Sequence, residues 1–191
     1  MNINPTLETE RLLIRRWRDC EEDRAFMHFI MSNKVGRRFY QERKTREGSD
    51  LGFDKILTSY ENGLPAWQVA TLKNTGQPIG FCGLCPINFP LSFPATTEIG
   101  WQYDPAFWGK GYASEAATAH LDHAFNTLKL KDIVAFAIEE NRASTRVMEK
   151  IGMVQEPENT FLHPSISDDH PHLKRHVLYR VTTHQWLHRN A

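Results

Sequence analysis

Residues 107–116, FWGKGYASEA, place a glycine on each side of Lys110, just before a run of small, helix-favouring residues. Glycine inside a helix is about 1 kcal/mol less favourable than alanine, so these two glycines indicate a need for bare backbone. The first amides of a helix lack partners within the helix, and the helix dipole adds partial positive charge at that end. With Lys110 as a further cation, the segment predicts a loop that binds phosphate or pyrophosphate.

The spacing differs from two familiar phosphate-binding motifs. The segment lacks the Gly-x-x-x-x-Gly-Lys-Ser/Thr pattern of a P-loop, and Ser114 stands where a dinucleotide fingerprint has glycine. A purely structural interpretation, in which both glycines only shape a loop, stays open on these residues alone.

The elements that must position this loop can be predicted from hydrophobic spacing. Residues 97–103 alternate as a strand, with Ile99, Trp101 and Tyr103 on one face and Glu98, Gly100 and Gln102 on the other. From Gly111 to Leu128 the apolar residues recur at helical spacing. Residues 132–138 predict a strand buried on both faces, and residues 142–151 predict a short helix closed by Gly152.

The remaining segments complete an alternation of strands and helices. Residues 11–17 predict a strand, followed by a helix with Asp19 as a candidate cap and a second helix from about Ser49 or Asp50 to Gly63. Residues 66–72 and 79–87 predict a hairpin, and strands are expected near Phe161 and at 175–182. We expect one α+β domain over residues 1–191.

The composition limits the classes of partner. Among 191 residues, 23 Lys and Arg balance 23 Asp and Glu, which argues against direct binding of nucleic acid. The N-terminal residues lack the apolar stretch of a secretory signal, no apolar run reaches transmembrane length, and the three cysteines are too few for a disulfide scaffold. We therefore expect a cytoplasmic protein without a membrane partner.

Four ordered segments resemble the GNAT superfamily of acetyl-CoA-dependent N-acetyltransferases, and within it the branch of ribosomal-protein N-terminal acetyltransferases. They are TERLLIRRW, EIGWQYDPAFWGKGYASEA, ENRASTRVMEKIGM and HVLYRV. The family's phosphate loop reads Gln/Arg-x-x-Gly-x-Gly/Ala, which WGKGYA fits at Gly111 and Ala113, with Trp108 in place of Gln or Arg.

The resemblance implies a fold and a set of cofactor contacts. It implies a mixed, mostly antiparallel central sheet with a splayed strand pair, helices on both faces, and acetyl-CoA lying in the splay. Backbone groups of Trp101, Gln102 and Tyr103 would contact the pantetheine arm. The pyrophosphate would be bound by the amides of Gly109, Lys110, Gly111, Tyr112, Ala113 and Ser114. Asn141 matches the family's asparagine beside the cofactor.

Two residues are candidates for the chemistry. Acetyl transfer to an amine requires removal of a proton from the amine and departure of a thiolate. Glu98, near the position of a catalytic glutamate in some family members, is the candidate base, acting directly or through water. Many relatives have a tyrosine seven residues after the asparagine, but Met148 stands there, and Ser144 is the hydroxyl that the ribosomal branch would offer to the sulfur.

A zinc or redox site is the competing interpretation of other residues. Cys82 and Cys85 form Cys-x-x-Cys inside an apolar strand segment, without a second cysteine pair, so buried strand cysteines are favoured over a zinc knuckle and no metal is expected. Four histidines of the C-terminal loop are expected to line or cap an acceptor site: His163, His170, His172 and His176.

The resulting hypothesis is an N-acetyltransferase that moves an acetyl group from acetyl-CoA to a primary amine by direct attack in a ternary complex. The acceptor would be the N-terminus of a ribosomal or other protein, or a small amine, and the enzyme a monomer or homodimer. The alternative is a non-catalytic acyl-CoA-binding sensor, which the methionine at position 148 keeps open.

Overall fold

The computed structural model describes residues 2–189, which form a nine-stranded sheet in the order β1-β2-β3-β4-β5-β6-β9-β7, with β8 paired to β9. The strands are β1 (Leu7–Glu8), β2 (Leu12–Arg15), β3 (Gln68–Leu72), β4 (Pro78–Pro86), β5 (Thr97–Tyr103), β6 (Asp132–Ile138), β7 (Val154–Gln155), β8 (Phe161–Leu162) and β9 (Arg175–Thr182). Within this sheet β5 and β6 run parallel, and the other pairs are antiparallel. The expected mixed, mostly antiparallel sheet is confirmed.

Helices cover both faces of the sheet. They are α1 (Glu21–Ser32), α2 (Arg46–Glu61), α3 (Tyr112–Asn126), α4 (Arg142–Lys150) and α5 (Thr183–Leu187). On one face, α1 and α2 bury Met27, Ile30, Phe53 and Ile56 against side chains from the first strands. On the other, α3, α4 and α5 bury Leu121, Phe125, Met148, Ile151 and Trp186. No described helix is long and apolar enough to cross a membrane.

The small residues of α3 fix where this helix begins. Ala116, Ala117 and Ala124 are fully buried against the sheet, so the helix axis lies close to it. The start of α3, capped by Gly111, is thereby held near the end of β5.

Two helix starts differ from the sequence-based expectation. The residue that caps α1 is Cys20 rather than Asp19, whose carboxylate pairs instead with Arg24 at 2.8 Å. The second helix begins earlier than Ser49, because the Thr45 hydroxyl accepts a hydrogen bond from the Gly48 amide at 3.1 Å. A side-chain cap therefore fixes the start of α2, whereas α1 begins at a residue whose side chain makes no capping hydrogen bond.

The splay between β5 and β6 is visible in the strand register. Glu98 pairs with Val134, and no other pair in the described ladder joins these two strands. Beyond that point β5 remains paired with β4 as far as Tyr103, while β6 remains paired with β9 as far as Ile138. The two strands therefore diverge toward their carboxyl ends, and the fork between them opens toward α3 and α4.

Candidate active site

A cleft of about 400 Å³ lies at this fork, between the end of β5 and the starts of α3 and α4. The sequence-predicted residues that line it are Trp101, Gln102, Tyr103, Gly109, Gly111, Tyr112, Ala113, Ser114, Asn141 and Ser144. Lys110 borders an adjoining depression that shares Gly111 and Ser114 with the cleft. Glu98 does not line the cleft, but stands where β5 and β6 part.

The loop before α3 presents a row of backbone amides without partners. Among the hydrogen bonds of residues 2–189, none is donated by an amide from position 109 to position 114. Gly109 and Gly111 both adopt positive φ, at 74° and 82°, a region that side-chain-bearing residues rarely enter. The two glycines therefore allow the chain to turn so that consecutive amides face the cleft.

Trp108 ties this loop to the end of β5. Its indole N–H donates a hydrogen bond of 2.8 Å to the carbonyl oxygen of Tyr103. This contact engages one of the backbone groups that the resemblance assigns to the pantetheine arm. The tryptophan at the family's Gln or Arg position therefore holds the loop against the end of β5.

Arg11 ties the loop to the first strands. Its Nη1 donates to the carbonyl of Lys110 at 3.0 Å, and its Nε donates to Glu115 in the first turn of α3 at 2.6 Å. The guanidinium also lies over the ring of Tyr112, 4.4 Å from its centroid. The Glu115 carboxylate further accepts from Thr9 at 2.5 Å and from the Arg11 amide at 2.9 Å. This network holds both sides of the glycine turn, and sequence reasoning missed it because Arg11 lies a hundred positions away.

The cleft has the charge expected of an anion site. Arg38, Arg146 and Lys150 line it, and within the described part of the chain no Asp or Glu does. Arg146 and Lys150 share the cleft-facing side of α4 with Ala143 and Val147 at helical spacing. The helical spacing of Arg146 and Lys150 could have predicted that both face the cleft. No sequence pattern predicted that Arg38 lines it.

Asn141 and Ser144 meet at the start of α4. The Asn141 side-chain oxygen accepts the Ser144 amide at 3.4 Å and so caps the helix, which leaves the Asn141 NH₂ group for a ligand. The Ser144 hydroxyl makes no hydrogen bond with any other described residue, so it does not serve as a helix cap.

Comparison with known proteins agrees with this geometry. The family model described as "Acetyltransferase (GNAT) domain" matches residues 11–154. The chain is 34% identical to the uncharacterized protein YkkB of Bacillus subtilis over 160 residues, which are 80% of this chain and 87% of the relative. It is 31% identical over 192 residues to the FsC-acetyl coenzyme A-N(2)-transacetylase of Aspergillus fumigatus, covering 98% of this chain and 80% of that enzyme.

This chain belongs to the GNAT acetyltransferase family.

Solved structures share the fold of this GNAT acetyltransferase. A GNAT-family acetyltransferase from Bacillus anthracis superposes with a TM-score of 0.75 at 27% identity, covering 94% of this chain and 99% of that one. The ribosomal-protein-S5-alanine acetyltransferase from Vibrio fischeri superposes with a TM-score of 0.68 at 20% identity, covering 96% and 99%, and shows the fold alone. The resemblance inferred from the four sequence segments is confirmed.

Glu98 has a raised pKa. Its carboxylate makes no hydrogen bond or ion pair with the residues that the structure describes, and burial raises its pKa to about 7. Glu98 lies on the same face of β5 as Gln102, whose side-chain amide donates to the Ile30 carbonyl of α1 at 3.3 Å, so this is the sheet face covered by α1 and α2.

Met148 and the cysteine pair lie outside the cleft. Met148 is buried in the core beneath α4, so the side chain at the family's tyrosine position does not reach the site. Cys82 and Cys85 are three residues apart on β4 and therefore point to opposite faces. Burial raises the pKa of both thiols well above the usual range, which disfavours the thiolate form that a metal requires.

The C-terminal histidines separate into two pairs. The rings of His163 and His176 lie 5.0 Å apart, beside Phe136 on the Glu98 face of the sheet. The rings of His170 and His172 lie 6.2 Å apart in the following loop. The expectation that such histidines line an acceptor site stays a prediction.

Proposed function

We propose that this GNAT acetyltransferase transfers the acetyl group of acetyl-CoA to a primary amine by direct attack in a ternary complex. The observation that carries the proposal is the arrangement at the fork. A row of unpaired amides and three cations lies on one side, and an unpartnered carboxyl of raised pKa lies on the other. An anionic cosubstrate and a base for the acceptor are thus provided within one opening of the sheet.

The residues of the cleft fit the phosphates of acetyl-CoA. The amides of 109–114 would donate to the pyrophosphate, as the partial charges at a helix N-terminus favour. Arg38, Arg146 and Lys150 add positive charge without a competing acid among the described lining residues. The diverging backbone of β5 and the Asn141 amide would bind the pantetheine arm. Acetyl-CoA supplies the activated thioester.

Glu98 would remove the proton that the acceptor ammonium must lose. A general base is most effective when its pKa lies near the working pH, and burial places that of Glu98 at about 7. The group is an effective base only when ionised, so activity is expected to rise with pH through this value. Ser144, whose hydroxyl has no partner in the described chain, would donate a hydrogen bond to the departing sulfur.

A thiol-release assay with acetyl-CoA and a panel of amines and N-terminal peptides tests the transferase, together with calorimetric titration of acetyl-CoA. Binding and turnover would support the proposal and show whether protein N-termini or small amines are acceptors. Binding without turnover on a broad panel would favour the sensor alternative. Absence of binding would overturn the assignment of the cleft.

Gly111→Val tests the amide row by itself. Valine at φ 82° costs about 1–3 kcal/mol of backbone strain, and its Cβ would stand 3.5 Å from the guanidinium of Arg11. We expect acetyl-CoA affinity to fall more than tenfold. Gly76→Val is the matched control, because Gly76 has φ 70° but lies in the β3–β4 turn. Similar losses of stability with normal affinity in both variants would refute the amide row.

A further inference from the structure

The sheet face that carries Glu98 also carries a group of half-buried aromatic rings, here named the ring cluster: Phe89, Phe136, Phe161, His163 and His176. Ring centroids lie 4.6 Å apart for Phe89 and His163, and 5.7 Å apart for Phe136 and His163. Buried Val134, Leu178 and Phe93 support the rings from below. The cluster is therefore a set of partly exposed rings packed on a buried apolar base.

The ring cluster begins next to Glu98. Glu98 pairs with Val134 across the fork, and Phe136 lies two residues further along β6, on the same face. Two residues of strand span roughly 7 Å. A molecule with its amine at Glu98 and its body along β6 would therefore bring a group two or three carbons from the amine onto these rings.

The surface of the ring cluster is uncharged at neutral pH. Burial, and to a smaller extent His176, lowers the pKa of His163 to about 4, and burial also lowers the pKa of His176. Charged side chains on adjoining segments are paired with each other: Lys174 with Asp168, and Arg180 with Asp132 and Glu156. A polycationic tail would find no carboxylate among these rings.

The two imidazoles offer one donor and one acceptor. His176 Nδ1 lies 2.9 Å from the Lys174 carbonyl oxygen, which can only accept, so this nitrogen carries the proton and Nε2 is an acceptor. His163 Nδ1 accepts the Ser165 amide at 3.2 Å, so the proton of this neutral ring is on Nε2. Neither Nε2 has a partner in the described chain, and neither belongs to its buried unpaired atoms.

Gln41 joins the loop that carries His163 to the wall of the cleft. Its amide donates to the Ser165 carbonyl at 3.0 Å, and its oxygen accepts the Ser167 amide at 2.7 Å. The adjacent Tyr40 lines the cleft. Gln41 thus links the loop that carries His163 to the segment that lines the cleft.

We propose, building on the proposed function, that the ring cluster binds the tail of the acceptor, and that the acceptor is a hydroxyl-bearing arylalkylamine. The aromatic ring of the acceptor packs on Phe136 and Phe161. Its hydroxyl donates to His176 Nε2 and accepts from His163 Nε2–H. The amine, two or three carbons away, lies at Glu98.

Three amines separate the parts of this proposal in the thiol-release assay at saturating acetyl-CoA: tyramine, phenethylamine, which lacks the hydroxyl, and spermidine, which lacks the ring. We expect kcat/KM to fall in that order, by at least tenfold from tyramine to spermidine, since a site built to hydrogen-bond a hydroxyl rejects analogues without one. A kcat/KM for spermidine equal to or above that for tyramine would overturn the proposal.

Variants test which residues of the ring cluster cause the preference for tyramine. His163→Ala and His176→Ala should bring the tyramine-to-phenethylamine ratio close to one, through KM for the amine, with KM for acetyl-CoA unchanged. Phe136→Leu, which keeps the apolar packing, should weaken both ring amines and leave spermidine unaffected. His184→Ala, which removes an exposed histidine of α5 that lies outside the cluster, is the control and should keep the wild-type ratio. An unchanged ratio in folded His163→Ala and His176→Ala, verified by thermal melting, would refute the subsite.

Calorimetric titration of tyramine into the protein with CoA separates this proposal from the proposed function. His163-dependent binding without turnover of any amine would uphold the subsite and refute the transferase. Turnover of spermidine or peptides, with no binding of tyramine, would uphold the transferase and refute the subsite.

Discussion

Asp23 and Glu98 are two carboxyl groups removed from water in opposite ways. Asp23, at the start of α1, accepts two hydrogen bonds from Arg15 at 2.6 and 2.9 Å, and three from Arg18 at 2.8, 2.9 and 3.5 Å. Burial alone raises the pKa of Asp23, but these hydrogen bonds outweigh it and lower the value to about 2. Glu98 has no such partners among the described residues, and burial raises its pKa to about 7.

The difference separates a carboxyl group that stabilises the fold from one that is available for chemistry. A carboxylate that already accepts five hydrogen bonds holds its neighbours in place but takes up a proton poorly. A carboxyl group without partners weakens the folded state and takes up a proton near neutral pH. The changes described below should therefore move activity at one site and stability at the other.

Glu98→Gln should produce the largest effect. Loss of a general base lowers rates by roughly 10²–10⁴-fold, so we expect kcat/KM to fall at least 100-fold, with unchanged calorimetric affinity for acetyl-CoA. The acid limb of the kcat/KM profile near pH 7 should disappear with it. A variant that keeps that limb, or more than a tenth of the activity, would show that another group takes the proton.

Asp23→Asn should lower stability with little effect on catalysis. It leaves the half-buried Arg15 guanidinium without its anion, and breaking such pairs costs several kcal/mol when both partners are fully buried. Because Arg15 is partly exposed, we expect the free energy of unfolding in urea to fall by about 2 kcal/mol. At a temperature where the variant is folded, kcat should stay within about twofold. A large loss of kcat with normal stability would reverse the contrast with Glu98.

The position of Glu98 could be predicted from the sequence, but the partners of Asp23 could not. Alternation along β5 placed Glu98 on the face opposite Ile99, and the glycines at 109 and 111 marked the loop before α3, because both signals depend on neighbouring residues. The partners of Asp23 could not be predicted, and neither could Arg11 or Arg38 at the cleft, since those contacts join segments distant in sequence. Likewise, α5 was missed although Thr182 and Gln185 form a capping box, because its five residues are too few to show periodicity.

Arg11→Ala tests a third carboxyl group, Glu115, which is intermediate between Asp23 and Glu98. Its hydrogen-bond partner Arg11 also holds the loop that forms one wall of the cleft. Burial raises the pKa of Glu115, but hydrogen bonds from Thr9 and Arg11 lower it overall. Without Arg11 the carbonyl of Lys110 and the first turn of α3 lose their shared tether, so we expect KM for acetyl-CoA to rise about fivefold to tenfold at similar kcat. Arg11→Lys, which keeps the charge but not the fork of donors, should recover only part of the loss.

The Arg11 prediction needs a control for charge alone. Arg16→Ala removes an exposed arginine of the same N-terminal segment that contacts Asn4 and lies away from the loop. Its KM for acetyl-CoA should be that of the wild type. A rise in KM equal to that of Arg11→Ala would indicate long-range attraction of the cosubstrate rather than positioning of the amides.

The smallest expected effect is the change in stability when Glu98 is replaced. The pKa of Glu98 is about 7 when folded and near 4.5 when unfolded, so the folded state binds the proton more tightly. The stability that Glu98 contributes by binding this proton is present below about pH 4.5 and is lost as the pH rises to 7. Above that value the ionised group is destabilising.

Glu98→Gln should therefore raise the Tm at pH 8 by roughly 2–4 °C, or about 1 kcal/mol, since the unpaired amide offsets part of the gain. At pH 4.5 the gain should vanish. Asp23 has the opposite dependence, because its lowered pKa stabilises the fold above about pH 4 and that contribution is lost as the pH falls toward 2. Equal Tm values for wild type and Glu98→Gln at both pH values would show that Glu98 is solvated in the folded state, and would remove the reason for its raised pKa.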